Sequence, residues 1–307
     1  MAHFLSALLL ISSLSLIPFT SFAATIAVIT RDDILPYRDF TERYQKAGKK
    51  SGHAIKIFSL GKDTSADITV RNLIRACAPS VLVSVGKSAA VFAAEQFAGH
   101  PRVCAMMPSP RDVADMVRSG ALVVSMEIRA EKKLDILRAI MPQATKIGTV
   151  YDPAESGEAV RDLEIVAKQE GLSLRALAIA SAKEAPEAVQ AIIESSIDAF
   201  ILLYDRTVLS PQTFDVLFAA SFSHRVPVIG FSEKYVAMGA LISLEAPVHE
   251  LAYAAWDATE RCITEPAACK GMIRLDTPGK IIINSTIAEK LGFSIPEALK
   301  KTATEVK

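Results

Sequence analysis

The sequence lacks an excess of charge of either sign and is poor in the residues that build metal and redox sites. Its 307 residues include 34 basic and 34 acidic side chains, so the formal net charge is zero. This balance gives no electrostatic support for binding to nucleic acid or to an anionic membrane. Only four cysteines are present, which excludes a disulfide-dense scaffold. Half of the residues are hydrophobic, which excludes an intrinsically disordered chain.

Common catalytic motifs are missing as well. The sequence contains no G-x-S-x-G, H-E-x-x-H or G-x-G-x-x-G pattern, no C-x-x-C pair, and five widely spaced histidines. Gly86-Lys87-Ser88 has the end of a phosphate-binding loop, but Val81 stands where that motif requires its first glycine. We therefore predict neither an enzyme nor a bound metal or cofactor. A secreted α/β enzyme whose catalytic groups come from distant loops is kept as a remote alternative.

An apolar segment opens the chain. Residues 4–19 are almost all apolar or small, and Ser21-Phe22-Ala23 has the small-x-small pattern of a signal peptidase site. This pattern predicts a signal peptide over residues 1–23, cleaved after Ala23. A membrane helix is the alternative, which the serines and Pro18 disfavour. Because no cysteine follows the apolar run, we predict no lipid anchor, and we expect the mature protein in the periplasm.

Export would place the cysteines in an oxidising compartment. Cys262 and Cys269 lie close together at the end of a predicted helix, where a small-loop disulfide and two free thiols both fit the pattern. Cys77 and Cys104 form a second bridge only if a helix end approaches a strand start. The spacing alone leaves both pairings open.

Short β-branched runs alternate with longer amphipathic runs along the rest of the chain. One series of strands and helices begins at residues 25–30 and ends at residues 103–107. A second series begins at residues 122–126 and ends at residues 226–231. Such alternation is typical of doubly wound parallel sheets. Because two series do not easily share one sheet, we predict an α/β fold with two Rossmann-like lobes.

The last part of the chain returns to lobes that are already built. Residues 241–244 and 281–283 are predicted strands, and residues 248–263 a predicted helix. Chains that return in this way make a hinged pair of lobes with a cleft between them. Glu245, next to a lobe crossing, is a candidate hinge residue. The predicted division is lobe 1 from residues 24–121 and 246–275, and lobe 2 from residues 122–245 and 276–307.

Five segments of the sequence carry a family resemblance. They are residues 146–153, 205–208, 230–233, 238–241 and 283–297. These segments resemble the type I periplasmic binding proteins, and within them the group often called the ABC-transporter substrate-binding protein family. The resemblance covers nearly all of the mature chain. It implies two lobes joined by a multi-strand hinge, which close on a small ligand and deliver it to the membrane permease of an ABC transporter.

Another role of the same fold is kept open. A periplasmic sensor would present its closed form to a membrane histidine kinase instead of a permease, and the sequence does not separate the two. A DNA-binding regulator would need a helix-turn-helix where the predicted signal peptide stands. We expect a monomer that binds a small molecule and no nucleic acid.

The resemblance also implies which loops face the cleft. They follow the carboxyl ends of parallel strands, where open α/β sheets place their ligands. The predicted ligand-binding residues are Thr30, Arg31, Lys87, Ser88, Asp152, Ser156, Tyr204, Asp205, Arg206, Phe231, Ser232 and Glu233. Relatives usually carry uncharged residues where this chain has Lys87 and Arg206. The two extra cations favour an organic anion or a zwitterion, such as an amino acid, as the ligand.

Other interpretations of these residues are simpler. Arg206 is suited to hold a carboxylate in a bidentate manner, or it forms a surface pair with Asp205. Ser88 fits a helix cap beside a solvated Lys87 as well as it fits an anion site. Glu155 fits the favourable end of a helix dipole, and we rank it behind Ser156 as a ligand contact. Trp256 is predicted to pack in the core.

Overall fold

The computed structural model describes residues 23–61 and 67–306. The predicted signal peptide, apart from Ala23, lies outside these residues, as does the start of the helix predicted from residue 65. None of the described helices is both long enough and apolar enough to cross a membrane.

Strands and helices alternate along the described residues. The strands are β1 (Thr25–Thr30), β2 (Ala54–Ser59), β3 (Val81–Val85), β4 (Arg102–Ala105), β5 (Leu122–Ser125), β6 (Lys146–Tyr151), β7 (Ser173–Ala178), β8 (Ala199–Ile201), β9 (Val228–Gly230), β10 (Ile242–Glu245), β11 (Gly271–Arg274), β12 (Lys280–Asn284) and β13 (Thr304–Val306). The helices are α1 (Leu35–Gly48), α2 (Asp67–Ala76), α3 (Lys87–Gln96), α4 (Pro110–Arg118), α5 (Ala130–Ile140), α6 (Pro153–Gln169), α7 (Ala185–Glu194), α8 (Pro211–His224), α9 (Glu233–Met238), α10 (Val248–Thr264), α11 (Ser285–Leu291) and α12 (Glu297–Lys300).

The strands form two sheets, each the centre of one lobe. The first sheet has the order β11-β5-β4-β3-β1-β2, and all its strands are parallel. The second has the order β13-β12-β10-β9-β8-β6-β7, and it is parallel except where β10 meets β12. Central strands such as β3 and β8 are apolar and buried along their length, as expected when helices cover both faces of a sheet. The predicted α/β fold with two lobes is confirmed.

One strand lies in a different lobe from the one predicted. β5 was assigned to the second lobe, but it pairs in parallel with β4, with Val103 opposite Leu122, so that assignment is wrong. The helix that connects these two strands, α4, is not predicted from the sequence. Because no helix is predicted between them, β4 is predicted to end the first series of strands and helices and β5 to begin the second. The first lobe therefore includes β5, and the chain leaves it only after Ser125.

The returning helix α10 completes the core of the first lobe by packing against α1. The hydroxyl of Tyr44 donates to Thr259 Oγ1 at 2.8 Å, and the Tyr44 ring meets Trp256 edge-on with centroids 5.4 Å apart. A Cβ atom on Gly48 would lie 2.4 Å from the Trp256 ring, so only glycine permits this close approach. The predicted packing role of Trp256 is confirmed.

The cysteines divide into one disulfide and two free thiols. Cys262 and Cys269 are bonded, and the bond joins the end of α10 to the segment before β11. Cys77 and Cys104 are not bonded to each other. Cys104 is buried under α4 and β5 side chains, and this burial raises the pKa of its thiol to about 12. The thiol of Cys104 therefore stays protonated at neutral pH.

Three segments cross between the lobes, at residues 126–129, 246–247 and 275–279. Gly279 of the third lies against Ile128 of the first and against Glu245, the residue directly before the second. This glycine has a φ of +74°, and a Cβ atom there would lie 2.5 Å from the carbonyl oxygen of Glu245 and 2.9 Å from Ile128. Glycine is needed here for two reasons, the left-handed backbone and the close contact with Ile128 and with the end of β10. We call these three segments the hinge.

Candidate functional site

The predicted site residues come from the carboxyl ends of five strands. In the first lobe, Arg31 follows β1, and Lys87 and Ser88 begin α3 after β3. In the second lobe, the loops after β6, β8 and β9 carry the rest. Each loop occupies the position at which parallel sheets place ligands, because the strand ends of both lobes face the space between them.

A cavity of about 300 Å³ lies between the lobes and next to the hinge. Pro108 and Pro110 line it from the first lobe, and Ala159 from the second. Ile128 and Glu245 of the hinge region close one side. Three of the predicted site residues also line this cavity, namely Tyr204, Phe231 and Ser232. Because both lobes contribute to its wall, relative movement of the lobes would open or close it.

One wall of the cavity is aromatic. The rings of Tyr204 and Phe231 lie 5.6 Å apart, and those of Phe231 and Tyr235 lie 4.7 Å apart, centroid to centroid. Burial raises the pKa of Tyr235 to about 12, with a contribution from Tyr204. The hydroxyl of Tyr235 therefore stays protonated and uncharged. The three rings form a largely apolar wall, which suits an apolar or aromatic part of a ligand.

Charged groups of both signs complete the lining of the cavity. Lys133 Nζ lies 3.3 Å from Glu127 Oε1, and the side chain of Lys133 is only 11% exposed. Lys234 and Glu245 also line the cavity. From the sequence, Glu245 is only a candidate hinge residue, and Glu127, Lys133 and Lys234 are not predicted at the site. A ligand with both a cationic and an anionic group would meet complementary partners here.

The predicted cation Arg206 already has carboxylate partners in the protein. Its Nε and Nη2 donate to the two oxygens of Glu155 at 2.7 and 3.1 Å, and its Nη1 lies 3.5 Å from Asp112 of the first lobe. Asp112 also holds Lys87 at 2.9 Å, and Glu155 also accepts from Arg111 at 3.0 Å. The hydrogen bonds from Arg206 lower the pKa of Glu155, and the one from Arg111 lowers it further, against the opposing effect of burial.

This network also differs from the surface pair of Asp205 and Arg206 that was the alternative to ligand contact by Arg206. Asp205 is fully buried and accepts four hydrogen bonds: its Oδ2 from Ser156 Oγ and Asp152 N at 2.6 and 2.7 Å, and its Oδ1 from Thr207 N and Val208 N at 3.0 and 3.2 Å. Asp205 therefore ties the loop after β6 to the loop after β8. Its hydrogen bonds therefore fix the backbone of Asp152, Thr207 and Val208 and the side chain of Ser156.

The remaining predicted residues lie in other places. Arg31 is bound to Asp33 at 2.7 Å, and with Lys87 and Ser88 it lines a separate cavity of about 540 Å³ in the first lobe. Thr30 is fully buried at the end of β1. Glu233 forms an ion pair with Lys280 at 2.8 Å. The structure thus brings together Tyr204, Phe231 and Ser232 at the cavity between the lobes.

Over residues 23–61 and 67–306, no group of three or more histidine, cysteine or acidic side chains is arranged to hold a metal ion. The groups that the site between the lobes offers to a ligand are its aromatic wall and its charged side chains.

Two hinged α/β lobes around a cavity define a class of ligand-binding proteins. Residues 26–307 match the family model of the ABC transporter substrate binding proteins, and the chain belongs to this family. The resemblance seen in the sequence is thereby confirmed. No curated protein matches the chain at a significant level.

Solved structures with the same fold cover nearly the whole chain. An ABC domain from Streptococcus pneumoniae in complex with L-Trp is 23% identical, with a TM-score of 0.61 over 93% of this chain and 100% of that one. A ligand-free, open substrate-binding protein with adhesive properties from Clostridium difficile is 17% identical, with a TM-score of 0.71 over 93% of this chain and 99% of that one. A conserved domain protein from Vibrio cholerae is 21% identical, with a TM-score of 0.61 over 93% and 100%.

Proposed function

We propose that this protein binds a small organic ligand between its lobes, outside the cytoplasm, and delivers it to the permease of an ABC transporter. The cavity between the lobes carries this proposal, because its wall comes from both lobes and from the hinge. A ligand that touches both lobes stabilises their closed arrangement by its higher affinity for that arrangement. Membership of the substrate-binding family supports the role of a solute carrier.

The lining of the cavity favours a zwitterion with an apolar, ring-sized part. Its volume, about 300 Å³, lies at the lower end of the range for ligand pockets and suits a ligand the size of an amino acid. Phe231 and Tyr204 offer ring faces, while Glu127 and Lys133 offer opposite charges. The complex of the Streptococcus pneumoniae relative with L-Trp is consistent with such a ligand here.

The proposed partners of a ligand carboxylate are now Lys133, Lys234 and the hydroxyl of Ser232. Arg206 was the first choice from the sequence, but a ligand would have to displace Glu155 to reach both of its donor groups. Lys133 and Lys234 line the cavity directly.

Replacement of Phe231 by alanine tests the position of the site. The ligand is first identified by native mass spectrometry of freshly purified protein, and its affinity is then measured by calorimetry. We expect Phe231→Ala to weaken binding at least about tenfold, equivalent to about 1.4 kcal/mol, because the central ring of the aromatic wall is removed. Phe222→Ala is the matched control, since Phe222 is 54% exposed on the same lobe and does not line the cavity.

Equal affinity in Phe231→Ala and the parent would move the site away from this cavity. A change of the same size in Phe222→Ala would show that loss of an aromatic ring acts through the stability of the lobe and not through the ligand.

A periplasmic location and a monomeric state complete the proposal. Mature protein from a periplasmic extract should begin at Ala24, because the small-x-small pattern directs cleavage after Ala23. N-terminal sequencing and the mass of the native species check both statements. A chain that begins at Met1 in the membrane fraction would contradict the predicted cleavage.

A further inference from the structure

Five charged side chains join the two lobes beside the cavity. Lys87, Arg111 and Asp112 belong to the first lobe, and Glu155 and Arg206 to the second. Arg111 Nη1 donates to Glu155 Oε1 at 3.0 Å, and Arg206 Nη1 lies 3.5 Å from Asp112. Both contacts run from one lobe to the other. We call these five side chains the ion-pair bridge.

Each carboxylate of the ion-pair bridge is also held by a cation of its own lobe. Lys87 holds Asp112 in the first lobe at 2.9 Å, and Arg206 holds Glu155 in the second through two hydrogen bonds. The acids are thus oriented before the lobes meet. A side chain that is already oriented loses less conformational entropy when a further contact forms, so the contacts between the lobes cost little ordering.

The two acids are shielded from water while the cation Arg111 is accessible to it. The side chains of Glu155 and Asp112 are 8% and 11% exposed, whereas that of Arg111 is 50% exposed. Partial burial strengthens the attraction relative to a pair in bulk water. Access to Arg111 lets dissolved salt screen its contact with Glu155.

The ion-pair bridge lies next to the residues that line the cavity. Pro110 directly precedes Arg111, Ala159 follows Glu155 after one helical turn, and Tyr204 lies two residues before Arg206. Opening of the cavity by movement at the hinge must therefore part the contacts between Arg111 and Glu155 and between Asp112 and Arg206. We propose that the ion-pair bridge is a latch that favours closure of the lobes by itself and makes this closure sensitive to ionic strength.

A distance measurement between the lobes tests the latch. Spin labels are attached to Leu35→Cys in the first lobe and Gln212→Cys in the second, both exposed positions, in a Cys77→Ser background. The protein is freed of small molecules by unfolding and refolding, with its disulfide intact. Electron–electron distance distributions are recorded at about 0.05 M and about 0.5 M sodium chloride, between which the screening length falls severalfold.

The parent should show a short-distance population that shrinks at high salt. Arg111→Gln removes one contact between the lobes and leaves the bond from Arg206 to Glu155 in place. It should raise the ratio of open to closed molecules at low salt by up to about fivefold and weaken the dependence on salt. Asp112→Asn should act in the same direction. Asp39→Asn is the control, because it breaks an ion pair with Arg43 inside α1.

Distance distributions that are the same in the parent and in Arg111→Gln at both salt concentrations would overturn the proposal. Arg111 is half exposed on the surface of α4, so its replacement leaves the fold intact, and circular dichroism verifies this. If Asp112→Asn does not fold, the result for Arg111→Gln decides alone. A shift of the same size in Asp39→Asn would also overturn it, because loss of any surface ion pair would then suffice.

Discussion

Asp205 shows how one buried carboxylate organises several loops of a ligand-binding cleft. It accepts hydrogen bonds from two backbone N–H groups of its own loop and from the loop after β6, including the hydroxyl of Ser156. Ser156 has a non-helical φ of −134° inside α6, so the hydrogen bond to Asp205 stabilises an interruption of that helix. Glu155, the residue directly before this interruption, meets Arg206 and Arg111.

Asp205→Asn should destabilise the protein by about 3 kcal/mol, because in either orientation the amide NH2 group faces a backbone N–H donor, that of Asp152 or those of Thr207 and Val208. Chemical unfolding monitored by circular dichroism measures the change. Asp215→Asn on the exposed face of α8 is the control and should stay within about 0.5 kcal/mol of the parent. A cost as small as that of the control would show that the carboxylate is not needed to hold these loops.

At the scale of elements, the hinge depends on a single glycine. Gly279 has a positive φ, and the space for its Cβ atom is occupied by Ile128 of another crossing segment and by the carbonyl group of Glu245 at the end of β10. Gly292 offers a matched comparison, since it has a similar φ of +81° but no atom within 4 Å of the position of a Cβ atom. The two glycines separate the cost of the backbone conformation from the cost of crowding at the hinge.

Gly292→Ala should cost about 1 kcal/mol of unfolding free energy, which is the cost of a left-handed backbone. Gly279→Ala should cost at least about 1 kcal/mol more, because the methyl group would overlap the carbonyl oxygen of Glu245 and force the crossings apart. Thermal and chemical unfolding measure both variants. Equal costs would show that the crossing segments adjust freely around residue 279.

The elements show which parts of the fold the sequence could predict. Buried strands such as β1, β3 and β8 were found because short, apolar, β-branched runs leave few alternatives. The sheet to which β5 belongs could not be predicted in this way, because the sequence of a buried strand does not show which strands pair with it. α4 did carry a local signal: Ser109 accepts a hydrogen bond from Asp112 N as an N-cap, and Pro110 follows at the first helical position.

The sequence predicts the position of part of the candidate site for a similar reason. Tyr204, Phe231 and Ser232 follow strand ends and line one cavity, because topology alone fixes where the carboxyl ends of parallel strands lie. The sequence around a charged side chain does not show which distant residue forms an ion pair with it. Arg111 and Glu155 are 44 residues apart and on different lobes, so only the tertiary structure shows that they meet.

At the scale of the whole molecule, the lobes are expected to change their separation when the ligand binds. A ligand that contacts both lobes favours the closed state. Small-angle scattering should therefore show a smaller radius of gyration at saturating ligand than in protein freed of ligand. The same titration with Phe231→Ala should need a higher ligand concentration. An unchanged radius at saturation would indicate a rigid molecule and would argue against a carrier that signals occupancy by closure.

The discontinuous make-up of both lobes has a consequence for the order of folding. The first lobe needs α10 and β11, and the second needs β12 and β13, so each waits for residues made late in synthesis. The buried hydrogen bond from Tyr44 to Thr259 spans 215 residues. Contacts between such distant residues form slowly, because the long intervening chain must first be ordered. A nascent chain of this protein therefore cannot complete the first core before α10 and β11 have been synthesised, nor the second before β12 and β13.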